Sequence, residues 1–304
     1  MRLIILILSM MTCILEAQEV KVGRIRQLTK QSQGEYYLSA ISPDSRQLLV
    51  TSPNFKGISL IAVKGRRLKS INDIQGAGFE PSFSSDGRFI FFREDQFPDQ
   101  KKFSSILSYS IATGETKIII PESRNLSTVV VSGNGIFYLS DGRVQKEAIE
   151  GEALKSYDPQ TLVLLEDLTP VLYHNGEKKV LKPNGNGSYI WVSLSPDKSK
   201  VLYYFTGKGT FVCDLEGNII CAPGRVNAPK WLTNDVIIGM DDRDDGYRVT
   251  SSELVYYSLN SDKLVYLTST SSRSEMYPFP FPDGRGIAFQ TDNGELYIMK
   301  IKIK

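Results

Sequence analysis

The residues best suited to polar chemistry form one short run, Asp241-Asp242-Arg243-Asp244-Asp245, closed by Gly246. Several carboxylates within one loop suit a hard divalent cation. Read as a twelve-residue calcium loop from Asp241, position three is Arg243 and position twelve is Ser252, and the pattern fails at both. The run is therefore read as an acidic connection between strands and as the chain's candidate binding loop; a divalent cation is the one cofactor it leaves open. A multi-histidine metal centre is excluded, because the chain has a single histidine, His174, beside the turn pair Asn175-Gly176. No Gly-x-Ser-x-Gly nucleophile elbow occurs. No catalytic residue is assigned. Trp191 and Trp231 adjoin apolar strands and read as packing between sheets.

Cys213 and Cys221 flank Asp214-Leu215-Glu216-Gly217-Asn218. If Glu216-Gly217-Asn218 is the loop, the two cysteines face each other across a hairpin, where Cα atoms about 4.5–5.5 Å apart permit a disulfide. A shift of one residue spoils that register and leaves two free thiols.

The elements that must position these residues repeat along the chain. An apolar approach, a tight polar turn and an apolar exit recur around Ser42-Pro43-Asp44-Ser45, Ser84-Ser85-Asp86-Gly87, Ser195-Pro196-Asp197-Lys198 and Pro282-Asp283-Gly284. Each is a β-hairpin signal. Asp44, Asp86, Asp197 and Asp283 are accordingly turn formers rather than catalytic acids. Degenerate copies stand at Ser132-Gly133-Asn134-Gly135 and Thr233-Asn234-Asp235. Taking one Asp or Asn per copy, the spacings are 42, 48, 63, 38 and 48 residues, near the 40–50 of a four-stranded propeller blade. The long third interval reads as an insertion near 145–167, with residues 144–150 helix-compatible. The first copy has a strand-like segment before it (24–29), and the last lacks a fourth strand after 296–301. The expectation is an all-β, six-bladed β-propeller of four-stranded antiparallel blades, closed by the N-terminal strand joining the last blade.

Ahead of this body, Arg2, the apolar stretch 3–15 and Leu15-Glu16-Ala17 have the layout of a secretory signal peptide over 1–17, leaving a single domain over 18–304. The apolar stretch is short for a membrane span, and none is expected in the mature chain. Cys13 lacks the small-residue context of lipidation. A net charge of +2, with lysines and arginines scattered and densest at Lys64-Gly65-Arg66-Arg67, argues against a nucleic-acid partner.

The Pro43-Asp44, Asp86-Gly87, Pro196-Asp197 and Pro282-Asp283-Gly284 turns resemble the Ser-Pro-Asp-Gly phrase of TolB-like β-propellers, over most of 20–304. TolB itself has an additional N-terminal domain, so its transport role is not carried over. The resemblance implies an exported propeller of a Gram-negative bacterium, in the periplasm or at the cell surface. Oligogalacturonate lyases are also similar in repeat but use histidine-held metal. The expected function is a monomeric, non-catalytic scaffold that binds an envelope protein; the alternative is a protein that binds or cleaves a glycan.

Overall fold

The structure is a computed structural model that describes residues 19–64, 68–124, 126–127, 129–133, 135–149 and 161–304. The signal-peptide segment with Cys13, residues 65–67 of the basic cluster, Asn134 and residues 150–160 lie outside the described residues. The chain forms seven antiparallel sheets among the described residues. After β1 (Val20–Gln27), the first sheet is β2 (Tyr37–Ile41), β3 (Gln47–Thr51), β4 (Lys56–Ala62) and β5 (Leu68–Gln75). The second is β6 (Ser82–Phe83), β7 (Phe89–Gln96), β8 (Phe103–Ser110) and β9 (Thr116–Ser123). The third and fourth show three strands each: β10 (Val130–Ser132), β11 (Gly135–Ser140) and β12 (Arg143–Ala148), then β13 (Thr161–Glu166), β14 (Thr169–His174) and β15 (Glu177–Val180). The fifth is β16 (Tyr189–Leu194), β17 (Lys200–Phe205), β18 (Gly209–Asp214) and β19 (Ile219–Gly224). The sixth is β20 (Asn227–Trp231), β21 (Val236–Asp244), β22 (Val249–Ser258) and β23 (Lys263–Tyr266). The seventh orders β24 (Glu275–Pro280), β25 (Gly286–Thr291) and β26 (Leu296–Ile303) with β1 outermost, from Val20 opposite Ile303 to Gln27 opposite Tyr297.

The blade count is thus seven, and the expected six is corrected. The extra blade lies inside the 63-residue interval that reads as an insertion. Residues 143–148 form strand β12, not a helix, and β13 is the innermost strand of a further sheet. Its turn, Glu166-Asp167-Leu168-Thr169, lacks the Ser-Pro-Asp-Gly phrase and meets the bend with Asp167 and Leu168 in the left-handed region (φ 47° and 57°). A different turn chemistry closes the same hairpin, so motif counting passes over it.

Residue alternation explains why the sheets stand radially. Leu48 and Val50 pack against Phe281, Ala288 and Leu296 of the seventh sheet, while Leu49 between them packs against Phe83, Ile90 and Phe92 of the second. One such apolar cluster fills each of the seven gaps between neighbouring sheets. Strands apolar on both faces belong to sheets covered on both sides.

The hairpin turns between first and second strands gather on one face and are hydrogen-bonded to each other. The Asp283 amide donates to Ser45 Oγ (3.3 Å), Ser85 Oγ to the Gly133 carbonyl (3.0 Å) and the Asp197 amide to Asn234 Oδ1 (3.0 Å). Within a turn, Ser195 Oγ donates to Asp197 Oδ1 (2.6 Å), which also accepts from the Ser199 amide (3.0 Å); the copies at Ser42–Asp44 and Ser84–Asp86 have the same 2.6 Å bond. The residue after the aspartate is left-handed in all four copies, with φ of 60° at Ser45, 73° at Gly87, 61° at Lys198 and 69° at Gly284, and glycine fits there without strain.

Two outcomes are expected. Removing residues 19–27 leaves β26 as an unpaired edge, so cooperative thermal unfolding should be lost and light scattering should rise; a truncated chain that melts like the full one would refute closure by β1. The Ser195 hydroxyl holds Asp197 down at about 2. A carboxylate depressed in the fold stabilises above its ordinary value near 4 and loses that contribution as pH falls through about 2. In Ser195→Ala, the Asp197 carboxyl resonance should titrate closer to its ordinary value.

Candidate functional site

The innermost strands enclose a cavity of about 1010 Å³ along the ring axis. Every sheet contributes: Tyr37, Ser82, Val130, Leu164, Trp191, Lys230 and Tyr277 represent the seven in order. At one end stand Pro53, Asn54 and Phe55 of the β3–β4 loop and Phe79 and Glu80 before β6; at the other, Pro282 reaches the face of the Asp turns. The rim at the first end is aromatic. Phe55 and Phe79 are 49% and 38% exposed and meet edge to face, with centroids 5.5 Å apart. The Gly78 amide donates to the Phe55 carbonyl (3.1 Å), and the Arg93 guanidinium lies 5.6 Å from the Phe79 ring centre.

Strained backbone builds the walls. The register slips between Ile190 and Ser193 in β16, Asn227 and Lys230 in β20, and Met276 and Phe279 in β24. In each bulge one non-glycine residue is left-handed: Trp191 (φ 52°), Ala228 (φ 46°) and Tyr277 (φ 50°). Glu80 (φ 49°), followed by Pro81, has the matching place before β6. Left-handed backbone is disfavoured for bulky side chains and costs about 1–3 kcal/mol per residue. Such bulges re-aim side chains, and these four residues all line the cavity. Trp191 is therefore a wall residue, edge to face with Tyr204 (5.3 Å), and Trp231 also lines the cavity while packing between the fifth and sixth sheets.

The first paired residue after each bulge is Ser193, Lys230 or Phe279. Lys230 Nζ sits 4.1 Å from the Phe279 ring centre. Burial pushes the pKa of its ammonium group down, opposed by the charge of Glu80, yet among the described residues no carboxylate lies within 4 Å of it. Neither Lys230 nor the strain at Tyr277 is visible in the repeat pattern. The one available sign was a lysine within Ala228-Pro229-Lys230-Trp231, where related strands carry serine, alanine or phenylalanine.

The acidic run lies elsewhere and does not converge. Asp241, Asp242, Arg243 and Asp244 end strand β21, and Asp245 begins its turn. Tyr266 Oη donates to Asp241 Oδ2 (2.5 Å), and Asn227 Nδ2 donates to Asp242 Oδ1 (2.5 Å). Asp244 accepts from the Gly246 amide, and Asp245 from the Tyr247 and Arg248 amides. No three potential metal ligands cluster among the described residues. The tip residue Tyr247 is fully in solvent. His174 is held between Thr161 Oγ1 and Asn175 Nδ2, at 2.9 and 3.0 Å.

The cysteines are not opposed. Bulges in β18–β19 set Cys213 opposite Ile219 and Cys221 opposite Val212, and both thiols are free. Burial pushes Cys213 up to about 12 and Cys221 up to about 11. The register that a disulfide would require is absent, as in the alternative of two free thiols.

Two glutamates between the sixth and seventh sheets escaped the sequence reading. Glu275 is fully buried; its Oε1 accepts from Thr270 Oγ1 (2.6 Å) and Arg273 Nε (2.8 Å). Glu253 Oε1 accepts from the Thr270 amide (2.7 Å). The second oxygen of each is buried without a partner. Burial raises the pKa of Glu275, reinforced by Glu253 and opposed by Thr270 and Arg273. Both sit at the start or middle of β strands, with no motif around them.

No protein-family model matches the chain, and no curated protein matches it by sequence. Solved structures resemble it in fold. An oligogalacturonate lyase in complex with manganese is 15% identical, with 91% of this chain and 79% of that one covered and a TM-score of 0.51. A chain of a mitotic checkpoint complex is 12% identical, with 92% and 94% covered and a TM-score of 0.63. An oligogalacturonate lyase from Vibrio parahaemolyticus is 12% identical over 94% and 97%, with a TM-score of 0.48. The seven sheets around one axis, together with the two likenesses at TM-scores of 0.51 and 0.63, define the class: a β-propeller. The comparisons give the fold and carry no blade-level or family-level match to TolB-like proteins.

A carboxylate with a raised pKa in the fold weakens the protein as pH climbs through that pKa. Glu275→Gln removes the charge and keeps the shape. It should raise the melting temperature at pH 8 by about 1–2 °C, the shift that accompanies roughly 1 kcal/mol at this chain length, with the gain fading below pH 4. A lower melting temperature at pH 8 would show that the Arg273 pairing dominates.

Proposed function

We propose that the protein is a non-catalytic binding propeller of the cell envelope that receives a segment of a partner protein at the Phe55–Phe79 mouth of its axial cavity. The observation that carries this reading is the cavity itself: about 1010 Å³, contributed by all seven sheets, with walls set by strained backbone. A concave, mostly apolar pocket with few polar groups is the usual form of a binding site, and exposed aromatics are common anchors at interfaces. The shared Ser-Pro-Asp-Gly turns support an exported protein akin to TolB-like propellers in their turns, with seven blades in place of six.

The second reading is a glycan ligand, which the likeness to an oligogalacturonate lyase favours. That lyase is in complex with manganese. The described lining here supplies one carboxylate, Glu80, and one cation, Lys230, a donor set that does not fit a divalent metal, and no metal-dependent step is assigned. Glycoside hydrolysis by a carboxylate pair needs two carboxyl groups about 5–9.5 Å apart, and Glu80 stands without a second one in that lining.

Peptides tiled over envelope proteins, and an array of acidic glycans, separate the two. The intact protein should bind a set of peptides, and Phe55→Ser with Phe79→Ser should weaken that binding at least tenfold. Peptide binding indifferent to the rim, or glycan cleavage by the wild type, would overturn the reading.

A further inference from the structure

We infer that Lys230 is the anchor for a single carboxylate in the bound partner segment, with apolar side chains on either side of it lying against the rings that line the cavity. The inference rests on the axial cavity being the binding site.

Three observations carry it. Lys230 is a cation inside the ring, on β20, and lines the cavity. Its ammonium nitrogen leans on the Phe279 ring at 4.1 Å, and among the described residues it has no hydrogen-bond or ion-pair partner. A cation partly removed from water and left without an anion is costly, and a carboxylate brought to it forms a charge-assisted bond strengthened by the low local dielectric. The same bulge-plus-one position bears Ser193 in the fifth sheet and Phe279 in the seventh, so the backbone repeat does not require a lysine there.

The rest of the lining sets what accompanies the carboxylate. Around Lys230 the cavity presents Trp191, Tyr277, Phe279, Pro229 and Pro280. One charge among aromatic and proline surfaces fits one acidic group flanked by apolar side chains. A polyanionic glycan, with a carboxylate on each sugar, would leave most of its charges without a partner, because the described lining carries one cation, Lys230. The other charged groups at this end do not substitute for the ligand. Glu80 stands at the mouth beyond ion-pair reach of Lys230. Arg93 faces Asp95 at 3.9 Å and donates to the Leu126 carbonyl (3.1 Å), while Asp95 also pairs with Lys102 at 2.9 Å.

The test uses the full mature protein and four probes. The first is a peptide with one internal Glu between pairs of Leu or Phe, and the second is its Gln counterpart. The third is the Gln peptide with a free C-terminal carboxylate in place of a C-terminal amide, and the fourth a galacturonate oligomer. Affinity is read by calorimetry, and the Lys230 side-chain nitrogen by NMR. The Glu peptide should bind at least tenfold tighter than the Gln peptide. Lys230→Met, which keeps the length of the side chain, should erase that difference while leaving Gln-peptide binding in place, and Lys230→Arg should restore part of it. The Lys230 pKa should rise on binding. Preference for the C-terminal carboxylate would support the anchor and assign its source to a chain end. Equal affinity for Glu and Gln peptides, with binding still dependent on Phe55 and Phe79, would overturn the role of Lys230 and leave the binding site standing. Lys230-dependent binding of the galacturonate oligomer alone would overturn the peptide occupant. Binding of no probe, in a protein that also binds nothing on the tiled arrays, would remove the underlying reading itself.

Discussion

Every sheet in this molecule must bury both of its faces. Leu48 and Val50 point one way from β3 and Leu49 the other, and all three are fully buried. A flat stack of such sheets would end in two exposed apolar faces. A ring has no ends, so closure follows from the residues themselves, and the pairing of β1 with β26 makes it physical. The burial is uneven. Among the described residues, the gap between the third and fourth sheets buries Leu139, Leu164 and Val171, with Val130 and Val144 packed against them, whereas the one between the sixth and seventh buries many more side chains, among them Tyr256, Phe289 and Met299.

A ring of seven sheets leaves a space on its axis that the innermost strands do not fill. The two faces of the disc then divide the work. On one, the Asp turns are bonded to each other from sheet to sheet, and their carboxylates are spent on their own serines and amides. On the other, the β3–β4 loop and the approach to β6 surround the mouth with aromatic side chains. Between them, bulged strands hold Trp191 and Tyr277 in backbone conformations that their side chains disfavour. Strain of this kind persists only where surrounding packing over-determines it, and it is common where ligands are clamped.

The acidic run illustrates how local composition misleads. Five charged residues in a row read as a loop, yet four of them continue strand β21. Alternation along a strand sends successive side chains to opposite faces, so Asp241 meets Tyr266 and Asp242 meets Asn227. The carboxylates that do share a buried environment, Glu253 and Glu275, are 22 positions apart and come from different sheets.

The repeat, the antiparallel hairpins, the turn role of Asp44, Asp86, Asp197 and Asp283, and the pairing of the first strand with the last were all legible in the sequence, because each depends on residues close in the chain or on a pattern that recurs. The number of sheets was not. Glu166-Asp167-Leu168-Thr169 turns a hairpin without the recurring phrase, and only its packing against Leu139 on one side and Tyr189 on the other identifies a separate blade. The cysteine register likewise turned on bulges in β18–β19 that no spacing rule reveals. Which side chains meet at the axis was decided by tertiary structure alone: Lys230 and Phe279 are 49 positions apart and touch because neighbouring sheets place equivalent strand positions side by side around one centre.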